Sequence, residues 1–417
     1  MRSHPIPRAA PYRQVLANRP FMALWLGQAV STIGDTLYNV ALLWYVLLTT
    51  GSAFAAGGIT VSAGLGGLLG SLIAGAVLDR LPGRRVLLAA DGARLLCTAV
   101  VGVPWLLGVA PSLTVLYVLT VINALATACH NPARAAALPQ VVPPAQLVTA
   151  NALEGVSASL TSTAVFALTG VIVAVFGPAR ALALDAATFL VAFLAVWSVS
   201  WPEVRVAVEP GRRRPLAALR AALDTIRADA LLRDWFAVLP LHAFAGGCFF
   251  AAIAPFLREQ LGGGAALYGL QGAVYGAGLL VASAVVGAMA VRRIGALYVG
   301  GVILAGLGNT RFALAPSVPA LLAAAFVAGL GIGALITGER SLLQTVVPAP
   351  FRGRVFALIG LCGIAVAPLG VALGGWLADH WRAQPILLVA ALVHVLLGLR
   401  LAALPRLRAA RTSGERG

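Results

Sequence analysis

Residues 75–94 read GAVLDRLPGRRVLLAADGAR. An apolar run, about residues 55–78, leads into this stretch, and a second, about 86–108, leads out of it. Between the two stands Leu81-Pro82-Gly83, flanked by Asp79, Arg80, Arg84 and Arg85. A helix rises about 1.5 Å per residue, so about 20 apolar residues cross a hydrocarbon core of about 30 Å. Each run meets that length. Two such runs joined by a short basic turn predict a helical hairpin. Its turn lies on the cytoplasmic side, where basic residues accumulate in membrane proteins.

The rest of the chain fits this reading. Of 417 residues, 60% are hydrophobic and only 11% charged, against about 45–50% and 25% in soluble domains. That balance excludes a soluble globular protein. The length accommodates about twelve spans. The net charge of +16, carried entirely by Arg among the basic residues, would suggest nucleic acid in a soluble chain. Here it follows the positive-inside bias, and no nucleic-acid partner is expected. Cys97, Cys129, Cys248 and Cys362 lie in apolar runs without a Cys-x-x-Cys, so they are expected to pack and not to bind metal. The first apolar run, about residues 21–49, is too long for the core of a cleaved signal and is expected to be a span.

In order, the chain predicts a cytoplasmic tail (1–20), a six-helix half (21–200), a cytoplasmic linker (201–233), a second six-helix half (234–404) and a cytoplasmic tail (405–417). Within the linker, Leu216, Leu219, Leu223, Ile226 and Ala230 recur at helical spacing, with Arg220 and Asp224 four apart. That pattern predicts an amphipathic surface helix; a partner-binding tether is the alternative. With both ends inside, the outer turns hold only Arg180, Arg258, Arg311 and Arg382. The halves also repeat. LPQVVPPAQLVTANAL (138–153) matches LQTVVPAPFRGRVFAL (343–358), and GAMAVRRIG (287–295) takes the place of GAVLDRLPG (75–83).

Several motifs are weighed against plainer readings. Residues 329–334, GLGIGA, fit a dinucleotide fingerprint, but that fingerprint needs a preceding strand. Inside an apolar span, small residues spaced by four serve close helix packing; Gly66/Gly70, Gly272/Gly276 and Gly370/Gly374 repeat the pattern. The five histidines show no metal-binding spacing, and His130 and His242 are read as structural before proton-carrying. No P-loop is present, so energy is expected from an ion gradient or the substrate's own gradient; no cofactor and no metal are expected. Carboxylates inside spans are costly and usually functional. Asp35, deep in the first span and its only charge, is the leading candidate for proton coupling, followed by Asp91 and Glu154. Asp91 and Arg94, three apart, are read first as a local ion pair; Glu154 is expected to pair with Arg134. Asp185 is assigned to the start of the sixth span, where the helix dipole would favour it.

The order Gly75-x-x-x-Asp79-Arg80…Gly83-Arg84-Arg85 resembles the loop between helices 2 and 3 of the major facilitator superfamily. Ser31–Asp35, Asp91-x-x-Arg94, Asn151-Ala152, Leu184–Ala186 and Arg352–Val355 are similar to the branch holding macrolide-efflux and enterobactin-exporter-like proteins. This resemblance implies an all-α membrane protein of twelve helices in two pseudo-repeated halves. It implies proton-driven efflux of an amphipathic or lipophilic compound by alternating access, with lipid and protons as the other partners and a monomer as the working form. Gly75, Asp79, Arg80, Gly83, Arg84, Arg85 and Arg354 would then form a cytoplasmic gate. Asp35, Tyr38, Asn39, Phe244, Phe249 and Tyr275 are the candidate substrate pocket, aromatic faces suiting flat or cationic compounds. A metabolite importer or facilitator of the same fold is the alternative, with a receptor or membrane enzyme behind it.

Overall fold

A computed structural model describes residues 10–199, 223, 224, 226–289, 291, 293–347 and 349–409, although some side chains in these segments, chiefly within 155–167 and 348–361, fall outside the description. Among the described residues the regular structure is helical, without strands. A short helix α1 (Ala10–Leu16) precedes α2 (Arg19–Thr50), α3 (Ala53–Arg80), α4 (Gly83–Leu106), α5 (Leu113–Val141) and α6 (Leu147–Ser198). After the linker come α7 (Ala230–Leu261), α8 (Ala265–Ala288), α9 (Ile294–Ala313), α10 (Val318–Val346), α11 (Ala349–His380), α12 (Ala383–Ala402) and the short α13 (Pro405–Ala409). Nine of the described helices are long and apolar enough to cross a membrane.

Local chemistry sets the breaks. Leu81 and Pro82 alone separate α3 from α4, and the Pro82 carbonyl accepts from the Arg85 and Val86 amides. α6 contains Gly177 at φ 78°, a left-handed conformation that splits it into two helical segments; glycine enters that region without a Cβ clash, and Pro178 suits a helix start. Asp229 caps α7 by accepting from the Leu231 and Leu232 amides at 2.8 and 3.0 Å, satisfying two otherwise orphaned donors.

The chain forms two compact units. One holds the residues up to Tyr45 and those from Ser62 to the linker; the other holds Val46–Val61 and everything after the linker. In each unit glycines let helix backbones touch. A methyl at Gly66 would strike the Val121 carbonyl, and one at Gly70 would sit 2.7 Å from the Leu125 carbonyl, so α3 lies directly on α5. In the second unit Gly329 stands against the Tyr275 carbonyl and Gly333 against Leu279, joining α10 to α8 in the same manner. Gly370 and Gly374 bring α11 against Phe244 and Cys248 of α7. Lipid supplies no hydrophobic drive between helices, so this close backbone contact, with its dispersion gain, is what holds them. GLGIGA is therefore a packing surface, as its place in an apolar span indicated.

Each unit has a hydrophobic cluster where a terminal helix docks. In the first, Val15 of α1 is buried with Phe21, Leu87, Leu138 and Val142, and the Asn18 amide nitrogen donates to the Val141 carbonyl at 2.8 Å. In the second, Leu407 of α13 is buried with Leu232, Trp235, Tyr298 and Leu343; Trp235 Nε1 donates to the Tyr298 hydroxyl at 2.6 Å. The segments read as cytoplasmic tails thus contain packed helices.

Helices also outrun the apolar segments. α5 runs past Arg134 to Val141, and α10 runs past Glu339 to Val346. A helix need not stop at the edge of the hydrocarbon, since water satisfies its exposed polar residues. Linker residues 200–222, Arg220 included, lie outside the described residues. Beyond them Asp224 faces Arg227 at 3.9 Å on an exposed surface, and Ile226 is buried in the second cluster. The four cysteines are free thiols.

Candidate functional site

The first unit contains a network of charged side chains drawn from four helices. Its centre is Arg94 on α4, whose side chain is 1% exposed. One guanidinium nitrogen donates to Asp35 of α2 in a close ion pair. The other terminal nitrogen lies 3.6 Å from Asp91, one helical turn back. The guanidinium carbon stands 4.1 Å from the ring centroid of Phe189 on α6, a cation–π contact strengthened by desolvation. Asp35 is thus not unpaired, as its isolation in the first span suggested. Its partner comes from another helix.

Asp91 is fully buried, and His130 Nε2 on α5 lies 3.3 Å from its Oδ1. Asp185 is also fully buried. It lies within electrostatic reach of both Asp35 and Arg94, and a methyl at Gly34 would collide with its carboxylate. The sequence reading placed Asp185 at a helix start; the start is Pro178 after the Gly177 break, so Asp185 lies two turns inside and joins the network. Further along α5, Arg134 donates to Glu154 at 2.6 Å, the expected pair, with both side chains about one-fifth exposed (20% and 23%).

Of the acids in this network, Asp35 has the most open side chain, 33% exposed. Asn39, one turn on, is exposed and donates to the Asp35 backbone carbonyl at 2.8 Å. Tyr38 points the other way: it is buried, its hydroxyl 2.8 Å from Thr120 Oγ1. Phe244, Phe249 and Tyr275 belong to the second unit. Phe249 is buried with its ring 5.8 Å from that of Phe312, while Phe244 and Tyr275 are half-buried.

In the basic turn, Gly75, Asp79, Arg80 and Arg85 are exposed, and Gly83 opens α4. Arg84 donates through Nε to the Val199 carbonyl at 3.0 Å and through a terminal nitrogen to the Trp197 carbonyl at 2.8 Å. It therefore satisfies carbonyls at the end of α6, where a cation also suits the helix dipole. The Arg354 side chain lies outside the described residues.

Sequence reasoning missed His130 as a neighbour of Asp91. A signal existed: Asn123, Thr127, His130 and Arg134 fall at helical spacing along α5 and form a polar stripe within an apolar span, as do Gln28, Ser31, Thr32, Asp35 and Asn39 along α2. Two such stripes on separate spans mark faces turned towards a shared polar interior.

Known proteins agree with this architecture. The chain is 28% identical over 403 residues to the multidrug efflux pump Tap of Mycolicibacterium fortuitum, covering 93% of this chain and 96% of that one. It is 24% identical over 379 residues to macrolide efflux protein A of Streptococcus pyogenes, covering 87% and 91%. A crystal structure of a POT family transporter in complex with 5-aminolevulinic acid superposes with TM-score 0.73 at 12% identity, over 94% of this chain and 97% of that one, which establishes the fold. The family described as transmembrane secretion effector matches residues 9–415. The chain belongs to that family, and is a multi-pass bacterial membrane transporter of the major facilitator superfamily.

Proposed function

We propose that the protein exports an amphipathic or lipophilic small molecule from the bacterial cytoplasm in exchange for protons, by alternating access. The observation that carries this reading is the imbalance in the buried network: one guanidinium, Arg94, faces the carboxyl groups of Asp35, Asp91 and Asp185. The acids outnumber the cation, and in a desolvated interior a bound proton neutralises the excess. Asp35 is one-third exposed, so it exchanges that proton. Releasing Arg94 from Asp35 when the carboxylate is protonated gives two charge states with different preferred packings, which is the differential interaction that a conformational shift requires. The efflux relatives support the direction of transport and the kind of cargo.

In this reading twelve spans form two six-helix halves, and both termini and the linker face the cytoplasm. Substrate contacts are assigned to Asp35 and Asn39 in the first unit and, separately, to Phe244 and Tyr275 in the second; Tyr38 and Phe249, both buried, support those positions by packing. The basic turn with Gly75, Asp79, Arg80, Gly83, Arg84, Arg85 and Arg354 acts in switching, and the transporter works as a monomer. The test uses everted membrane vesicles containing the full chain, with ethidium and a radiolabelled macrolide as probes. An inward-acid gradient should drive accumulation of at least one probe, and nigericin should abolish it. Accumulation of neither, or accumulation indifferent to the gradient, would overturn the proposal.

A further inference from the structure

A narrow cavity beside the charge network is lined by Gln28, Ser31, Asp91, His130 and Arg134, with apolar side chains making up the rest. Its open volume of about 10 Å³ for the centre of a water-sized sphere is close to what a single water needs. Five polar groups facing it have atoms without a hydrogen-bond partner among the described residues: Gln28 Oε1, Ser31 Oγ, both Asp91 carboxylate oxygens, His130 Nδ1 and Arg134 Nε. Buried polar atoms are nearly always satisfied, by protein or by ordered water. This set offers both donors and acceptors within one space, which is what a buried water requires. A dry cavity here would leave all of them unsatisfied, whereas engineered cavities that stay dry are apolar.

The cavity has an internal and an external end. Asp91, on the inside, touches Arg94 and through it Asp35, with Asp185 of α6 in electrostatic reach. Arg134, on the outside, is partly exposed and paired with Glu154. His130 stands between, its Nδ1 without a hydrogen-bond partner among the described residues and its Nε2 3.3 Å from Asp91. We infer that this is a water-holding relay site that carries protons between the aqueous phase and the Asp91–Arg94–Asp35 network, with His130 as the intermediate carrier. The inference rests on the proton-coupled reading and deepens it.

The transfer balances. A hydronium ion reaching the cavity gives its proton to His130 Nδ1 and remains as water. The imidazolium then releases its Nε2 proton to Asp91 Oδ1 after a small tilt of the ring, because the present geometry, although close, completes no hydrogen bond. The ring is left as its other neutral tautomer, and a half-turn of the imidazole, which exchanges the two nitrogens without moving a proton back, resets it for the next transfer. The groups that set the field on His130 are Asp91 and Arg94 on α4, Arg134 on its own helix, Asp35 on α2, and Glu154 and Asp185 on α6.

Two measurements test this on the full chain. Hydroxyl-radical labelling by X-ray irradiation in ¹⁸O water should modify His130 faster than His394, which is equally buried in the second unit. Equal, slow labelling of both overturns the hydrated site, whatever the transport result. In liposomes, His130→Gln should lower transport driven by a pH gradient on the order of a hundredfold, the lower end of what a lost proton-transfer group costs. It should leave substrate counterflow, which needs no net proton movement, at the wild-type rate. His130→Asn serves as a second variant if the Gln form does not insert. Gradient-driven transport at the wild-type level in either variant overturns the relay. If the wild-type protein itself ignores the gradient, the coupling reading falls and the relay falls with it, while the labelling still reports independently on the water.

Discussion

Arg94 reaches from α4 to the carboxylate of Asp35 on α2, 59 residues away in the chain, while also facing Asp91 on its own helix. A single buried cation therefore faces two candidate coupling residues. Removing it leaves Asp91 fully buried without its guanidinium. Breaking a buried pair from one side typically costs about 3–5 kcal/mol. Arg94→Ala should lower the thermal midpoint of the detergent-solubilised protein sharply, read by size-exclusion chromatography after heating. Arg94→Leu combined with Asp91→Leu should recover much of that loss, since no uncompensated charge then remains at that pair. An unchanged midpoint in the single variant would show that the pair does not support the fold.

The glycine contacts make a paired prediction on one helix. Gly66 faces the Val121 carbonyl so closely that any Cβ collides with backbone, whereas a methyl at neighbouring Gly67 meets nothing within 4 Å. Overpacking of this kind costs about 1–3 kcal/mol. Gly66→Ala should reduce folded yield and thermal midpoint, and Gly67→Ala should leave both unchanged. Equal effects of the two substitutions would show that helix propensity, and not packing of α3 on α5, governs this surface.

Asp379, at the end of α11, accepts from the Ser52 hydroxyl and from the Ala53 and Phe54 amides at the start of α3. It therefore caps a helix from a distant part of the chain, replacing water on two orphaned donors. If alternating access requires this joint to part, a short thiosulfonate cross-link between Ser52→Cys and Asp379→Cys in a cysteine-free background should stop transport, and reductant should restore it. Undiminished transport by the cross-linked protein would mean that the joint stays closed throughout the cycle.

The proposed topology has its own check. Single cysteines at Ser3, Arg213 and Ser413 in a cysteine-free protein should resist an impermeant maleimide in intact cells and react after lysis. Reaction of Arg213→Cys in intact cells would overturn the cytoplasmic linker.

Much of the fold was legible because its causes are local. Apolar length marks the spans, and the Leu81-Pro82-Gly83 turn marks a hairpin. Gly-rich spacing marks helix contacts without naming the partners. The Arg134–Glu154 pair was also legible, since a short link brings one helix end beside the next start. The Asp35–Arg94 pair was not, because helical periodicity says which residues share a face but not which helix that face meets. Asp185 was misjudged by a matter of turns: the left-handed Gly177 starts the helix earlier than the polarity of the segment suggests. Tyr38 shows the same limit. It lies near Asp35 in sequence but turns inward to Thr120, a direction fixed by packing.

The central claim is that Asp35 exchanges the coupling proton while Arg94 senses its charge. Asp35→Asn keeps the size and a hydrogen-bonding oxygen but removes the titrating carboxyl. In liposomes holding equal amounts of correctly inserted protein, the variant should no longer accumulate ethidium or a macrolide against its gradient when a pH gradient is imposed, and should still exchange internal for external substrate. Concentrative transport by Asp35→Asn with the wild-type dependence on the pH gradient would contradict that claim.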